Sequence, residues 1–385
     1  MDKTKFSVFN KHLAFKSCSD SILYNGEAVK ETSDYVYVGI NFSTDKNRFK
    51  THLENVADSA NRAIYGAMSL ARNACGGELS ALTHLHILDT QIRPVLEYAS
   101  PIWFTNKPLE ILENIQIKFL KRSLGVGNST PHLAVYGDTH RYPLLLRQRY
   151  SFLKFWARLS QMPEGSVLHS IYTEHQNLET SYMTKVKSTL EAAGIIPDDL
   201  PIVSKQDTNF FLKHIKHNLE FLYNTNWLAE INDSQKNPML RFYKIFKNSF
   251  EPEPYIKLIS DRKIQKSLSQ YRLSSHCLRI HKGRQERNKN GKNTLANKRF
   301  CLSCKSGEID DEMHLFTNCK THNLERGIFL TNIKPRILIP NSSTPIEYLC
   351  HIINSDDKKI LYEFGKFLKI AFTKRKLENL SRVNV

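Results

Sequence analysis

Four residues in one short stretch are of the types that hold a metal ion. Cys301 and Cys304 bracket a Cys-Leu-Ser-Cys turn, and His314 and Cys319 follow to complete the pattern Cys-x2-Cys-x9-His-x4-Cys. Two thiols so close can bite one ion from a tight turn. Soft sulfur with imidazole is the ligand set that structural zinc prefers. Four protein ligands leave no open position for water or substrate, so such a centre is structural and not catalytic. The alternative is one or two buried free thiols beside an unrelated histidine. Cys277, flanked by His276 and near His281, is the other thiol placed to ligate.

The elements that must position these ligands are short. Gly307 permits a turn in the insert, and Asp310 and Asp311 suit a helix start. His314 and Cys319 do not align on one straight helix, so the helix is expected to tighten or end near Asn318. Ion binding would hold a small fold where the local chain offers few apolar residues.

A basic stretch abuts the ligands. Arg279, Lys282, Arg284, Arg287, Lys289, Lys292, Lys298 and Arg299 stand against one acid, Glu286, and Asn288, Asn290, Gly291 and Asn293 argue for a loop. Such a loop, pinned at one end by a metal, suits phosphate contact; the alternative is a solvated loop or a localisation signal. The whole chain points the same way. Its 385 residues carry a formal net charge of +17, which directs attention to a polyanion, usually nucleic acid. A hydrophobic share of 41% is that of a chain with globular cores. Beyond the three proposed thiolate ligands, Cys18, Cys75, Cys277 and Cys350 are scattered. No signal-like apolar segment follows Met1, and no apolar run of about twenty residues exists. The expectation is free thiols in a reducing compartment, nucleus and/or cytoplasm, not secreted and with no membrane partner.

Periodicity predicts a mainly α (α+β) chain. Short strands open it: Lys5–Phe9, then Ser21–Tyr24 leading into an Asn25-Gly26 turn, then Tyr35–Phe42. The first and last are expected to pair against a helix starting at Phe49, leaving one apolar face exposed. That helix should end at Gly76-Gly77. A second runs through Leu82, Leu85, Leu88 and Ile92 until Pro94 breaks or kinks it near Arg93. A third, capped by Gly125, shows Lys118, Lys121 and Arg122 on its open side, and a fourth starts at Pro143. Pro163, Gly165, Gly194, Pro197 and Pro201 read as a linker or boundary. Helices follow at Phe210–Tyr223, Met239–Phe246 and Ile256–Tyr271. An amphipathic helix from Lys358 to Leu380 ends the chain, burying Phe364, Phe367 and Phe372 and turning Lys366, Lys369, Lys374, Arg375 and Lys376 outward. The division expected is 1–43 strands, 44–160 helical bundle, 161–270 linker and helices, 271–335 basic loop with the metal-binding unit, and 336–385 final helix.

Two blocks of residues resemble a known family. Lys3-Thr-Lys5, Tyr37-Val-Gly-Ile40, Arg93-Pro-Val-Leu-Glu-Tyr98, Pro101-Ile-Trp103, Ile115-Gln116 and Leu124-Gly125 resemble the late palm and thumb of non-LTR (LINE/jockey-like) retrotransposon reverse transcriptases. Arg272-Leu-Ser-Ser-His276, Gly283-Arg284, Cys301, Cys304, Glu312, His314 and Cys319 are similar to the zinc-binding segment that ends those polyproteins. The resemblance is thin between Gln161 and Gln270.

The family implies an RNA-directed DNA polymerase whose thumb helices grip template and primer. It implies structural Zn2+ in the CCHC unit and Mg2+ only at catalytic aspartates, which lie upstream of the Lys-Thr-Lys segment. Asp198-Asp199 follows a proline and Asp356-Asp357 precedes a helix, so neither reads as the polymerase pair. The chain is therefore expected to be a truncated element, an internal start or a partial gene product, inactive as a polymerase alone. Its expected contacts to RNA or DNA backbone are Arg93, Lys118, Lys121, Arg122, Arg279, Lys282, Arg284, Arg287, Lys298 and Arg299. An upstream palm or another retroelement protein is the implied protein partner. The competing expectation is a protein-interaction scaffold or degenerate remnant.

Overall fold

Two glycine turns shape the amino-terminal end. The computed structural model describes residues 4–8, 22–45, 47–76, 78–178, 180–196, 207–284, 293–337 and 343–383. Asn25-Gly26 takes φ of 50° and 80°, and Val38-Gly39 takes 47° and 77°. Paired positive φ values suit tight hairpins. Strands β1 (Lys5–Phe6), β2 (Leu23–Tyr24), β3 (Glu27–Ala28), β4 (Lys30–Glu31), β5 (Asp34–Tyr37) and β6 (Ile40–Ser43) result. β2 pairs antiparallel with β3, and β5 with β6 in the register Tyr35↔Phe42.

Tyr35–Phe42, expected as one strand, is thus a hairpin. Aromatic and β-branched residues fill both arms, so the composition hides the reversal at Gly39. β1 pairs in parallel with β4 and not with this segment; Phe9 and Ser21 lie outside the described residues. β6 packs on the next helix through Phe42 and Phe49, 5.9 Å between ring centroids. The outer arm stays open, with Val36, Tyr37 and Val38 58%, 61% and 66% exposed.

Helix α1 (Lys50–Cys75) buries Val56, Ala60, Ile64 and Met68 on one stripe, and Gly76 caps it in the left-handed region. Gly77 lies outside the described residues. After α2 (Ala81–Ile87) the helix that was expected to break or kink at Pro94 does not break. The chain widens into a π turn, Leu88–Ile92, and continues as α3 (Arg93–Glu97). Proline has no N–H and clashes with the carbonyl four residues back; the wider turn relieves both problems. Next come α4 (Ser100–Trp103), α5 (Glu110–Leu124, capped by Gly125), α6 (His132–Thr139) and α7 (Leu144–Leu159).

The stretch read as a linker is largely helical: α8 (Val167–Asn177) and α9 (Ser181–Glu191). Gly165 turns the chain between α7 and α8, and Gly194, at φ 68°, turns it just after α9; Pro197, Pro201 and Asp198-Asp199 lie outside the described residues. With α7 and α10 (Thr208–Asn232) these helices enclose a small core of Phe152, Trp156, Tyr172, Val186, Leu190 and Ile215.

The region expected as a helix from Met239 is a 3-10 turn, Pro238–Leu240, then α11 (Tyr243–Phe246). Ile256–Tyr271 splits into α12 (Pro254–Leu258) and α13 (Arg262–Arg272), because the Asp261 carboxylate accepts the Lys263 and Ile264 N–H groups at 2.8 and 3.0 Å and starts a new helix. Then come α14 (Arg279–Lys282), α15 (Glu312–Thr317), α16 (Asn323–Ile333), α17 (Pro345–Ile353) and α18 (Lys358–Val383). The final helix buries Phe364, Phe367 and Phe372 as expected. It lies close on α13 because Gly365 has no side chain: a Cβ there would sit 2.5 Å from Ile264 Cγ2.

The main core draws on residues from Val56 to Leu144 and again from Trp227 to Phe372, with the small core of α7 to α10 between them in sequence. It takes buried residues from both sides of the boundaries expected near residues 270 and 335. A buried ion network ties early helices to late ones. Arg272 lies 3.1 Å from Asp138 of α6 and 2.5 Å from Glu253, and donates to the Ile353 carbonyl at 3.0 Å. Tyr243 and Tyr255 donate to the same Asp138 carboxylate at 3.1 and 3.0 Å. Asp357 also has a structural role. It caps α18 by accepting the Lys359 and Ile360 N–H groups at 2.6 and 3.3 Å. No helix among the described residues is long and apolar enough to cross a membrane.

Candidate metal centre

The four expected ligands converge. The sulfurs of Cys301, Cys304 and Cys319 and a His314 ring nitrogen all lie within 4.8 Å of one another. Cys301 and Cys319 sulfurs are 4.0 Å apart, and Cys304 sulfur is 3.3 Å from His314 Nε2. A tetrahedral ion with metal–sulfur bonds of about 2.3 Å would hold its sulfurs about 3.8 Å apart, so the site has the size for one ion. Cys301, His314 and Cys319 are buried and Cys304 is half-buried, a closed setting with no room for a substrate.

Local chain geometry explains the convergence. Phe300 and Ile309 form an isolated bridge, and Cys301 N–H donates to the Glu308 carbonyl at 2.7 Å, folding the turn back on itself. Gly307 at φ 77° and Lys305 at φ 54° reverse the chain between them. Asp311 caps α15, its side chain accepting the His314 N–H at 2.9 Å. The helix stops at Thr317, as the ligand spacing required, and Cys319 N–H bonds to the His314 carbonyl at 2.9 Å.

A second layer of residues holds the ligands, and the sequence did not reveal it. Glu308 receives His314 Nδ1 at 2.5 Å, which fixes the ring and turns Nε2 to the sulfurs. Arg375 was expected to face outward. It is buried, donating to Cys319 sulfur at 3.2 Å, pairing with Asp310 at 2.9 Å and donating to His322 at 3.1 Å. Its neighbours Lys374 and Lys376 are exposed. Without an ion, the polar contacts polarise the thiols unequally. The Cys319 contact holds the Cys301 thiol far below its usual range, against burial. Burial alone would lower His314, but Cys301 and Cys304 push it up to about 9.

A second cluster, His276, His281 and Glu312, also falls within 4.8 Å. Its two Nε2 atoms and its carboxylate oxygens are already hydrogen-bonded. Both imidazole Nε2 atoms lie 3.1 Å from the same Glu312 oxygen, and Arg241 pairs with the other oxygen. His276 Nδ1 accepts the Leu278 N–H at 3.4 Å, which leaves the proton on Nε2, where a metal ligand would need a lone pair. The cluster fastens the metal-binding segment to the core. Cys277, the alternative ligand, joins neither site; its sulfur lies 3.8 Å from the Phe372 carbonyl.

The expected phosphate contacts divide. Lys118, Arg122, Lys282 and Lys298 are exposed. Lys121 is buried and donates to the Asn128 carbonyl at 2.6 Å; Arg299 is buried and donates to Ile280 and Thr294 carbonyls at 2.6 and 2.7 Å. These two cations brace the fold and do not face a ligand. Long cationic side chains reach buried carbonyls as readily as solvent, which helix periodicity alone does not distinguish. Arg93 pairs with Asp89 at 2.8 Å and Glu97 at 3.8 Å. Arg279 and Arg284 are half-buried, donating to Phe300 and Pro238 carbonyls at 3.1 and 3.2 Å. Arg287 lies outside the described residues. No family model, curated protein or solved structure matches the chain.

Proposed function

We propose that this chain binds the backbone of RNA or DNA, in the manner of the thumb and zinc-binding segment of a non-LTR retrotransposon reverse transcriptase, and that Zn2+ occupies the Cys301, Cys304, His314 and Cys319 site. The observation that carries the reading is a buried Cys3His cluster set into a chain of net charge +17, with exposed Lys282 and Lys298 in the segment the cluster anchors. Zinc fits this ligand set best because it accepts three thiolates and an imidazole in a tetrahedron without a redox penalty. Its role is structural. Mg2+ belongs to polymerase chemistry that this proposal does not assign to the chain.

Fluorescence anisotropy with RNA, DNA and hybrid duplexes over a KCl series tests the reading. Phosphate contacts release counterions, so log affinity should fall linearly with log salt by about 0.7–0.9 per contact, with little dependence on sequence. Cys304→Ser should weaken binding by loosening the basic segment. A wild-type protein that binds no nucleic acid at low salt overturns the reading. That outcome favours a protein-interaction scaffold, to which the exposed Val36, Tyr37 and Val38 arm would then be the first surface to test.

A further inference from the structure

One convergence of cations includes three that the sequence did not single out, Arg72, Arg262 and Lys266. A cleft of about 340 Å³ opens between the end of α1, the end of α5 and the start of α13. Arg72, Arg122, Arg262 and Lys266 line it, with Glu78 as the acid on its wall. Arg72, Arg122 and Lys266 are exposed, and no carboxylate lies within ion-pair distance of them among the described residues.

Arg262 has a different part. It donates to the Arg122 carbonyl at 2.8 Å and to the Ser123 carbonyl at 2.5 Å, closing the carboxyl end of α5. The Gly125 and Val126 N–H groups bond to the Arg122 and Lys121 carbonyls, both at 3.1 Å. The negative end of that helix is therefore covered, and Arg262 adds charge to the cleft after its donors are used. Gly125 lets the wall come close: a Cβ there would meet Lys266 Cγ at 2.7 Å, so the lysine stem lies flat across the turn. His84, on the floor, registers the field. Burial, followed by the charges of Arg262, Arg122 and Arg72, holds it below its ordinary value despite a hydrogen bond to Ser80.

We propose that this cleft seats a backbone phosphate of bound nucleic acid, gripped by the Arg72 and Arg122 guanidiniums and the Lys266 ammonium. The inference rests on the nucleic-acid reading above and places one contact of it at a site where three separate helices meet. Guanidinium forks match phosphate oxygens in pairs, and a lysine adds a mobile point charge. Like charges held together with a single acid between them are costly in the free protein, and a phosphate relieves that cost.

The test is the same salt series with Arg72→Gln/Lys266→Met, beside Lys213→Met on α10 combined with Lys236→Met in the turn after it as a charge-matched control. The cleft variant should bind about tenfold or more weakly, and its salt slope should fall by about 1.4–1.8 for two lost contacts. Glu78→Gln should tighten binding several-fold, a gain that misfolding cannot mimic. Inorganic phosphate, titrated at constant ionic strength, should displace RNA no better than chloride. Wild type that binds while the cleft variant matches the control overturns the cleft and spares the parent reading. Wild type that binds nothing sinks both. Tight competition by inorganic phosphate overturns the nucleic-acid assignment in favour of a small phosphorylated ligand.

Discussion

Arg375, far along the final helix, donates to the sulfur of Cys319 at 3.2 Å. With the proposed zinc bound, three thiolates, one imidazole and a dication would sum to a negative centre, and this guanidinium is a buried positive charge against it. Outer partners of this kind typically change metal affinity by about 10–100-fold. Arg375→Gln should therefore weaken metal binding by that order in a chelator competition. Lys376→Gln, one residue on and exposed, should leave it unchanged. Equal affinities in the two variants would reduce Arg375 to a packing residue.

Metal content gives the next prediction. Purified protein should carry one zinc per chain, and Cys304→Ser should lose it. Ligation needs deprotonated thiols, so acid should release the ion. The His276, His281 and Glu312 cluster should stay empty, since its Nε2 protons are committed to the carboxylate. Two zinc ions per chain would show that this hydrogen-bond assignment is wrong.

The ligand set was legible because four side chains of the right type crowd into one stretch, and no distant residue is needed to complete it. Arg375 was not, because periodicity puts it beside Lys374 and Lys376, and only the fold reveals which of the three turns inward. Pro94 was legible as a disturbance of its helix; whether it breaks or only distorts the helix was not, because a π turn can absorb a proline. Lys121 and Arg299 were read as ligand contacts because a charge carries no sign of whether a carbonyl awaits it. The helices at 167–177 and 181–191 were hidden by Pro163, Gly165 and Gly194, which punctuate short connections as readily as linkers.

The Arg272–Asp138 pair joins two segments of the chain inside the main core. Both partners are fully buried, and Glu253 is shared between Arg272 and Lys247, each at 2.5 Å, so removing Asp138 leaves one buried positive charge in excess. Asp138→Ala should cost about 3–5 kcal/mol in denaturant unfolding. Asp357→Ala removes a half-buried helix cap and should cost about 1 kcal/mol. Similar losses in the two variants would mean that solvent already reaches the Arg272 network.

Two buried histidines set an acid limit. Burial pushes His281 down to about 4, against the pull of Glu312. Burial and then the Arg375 charge push His322 down to about 4 as well, and its Nε2 accepts from Arg375 at 3.1 Å, which requires the neutral ring. In the unfolded chain both would titrate near 6.5. The unfolded state therefore binds more protons between those values, so stability is complete above about pH 6.5 and declines as pH falls toward 4. At pH 5 each histidine should remove up to about 2 kcal/mol. Denaturant midpoints at pH 7 and pH 5, with zinc in excess and its retention checked, measure the loss. His281→Gln keeps a donor for Glu312 and cannot take up a proton, so it should make the decline about half as steep. A variant that declines as steeply as wild type would remove His281 from the acid sensitivity and leave it to His322 and the metal ligands.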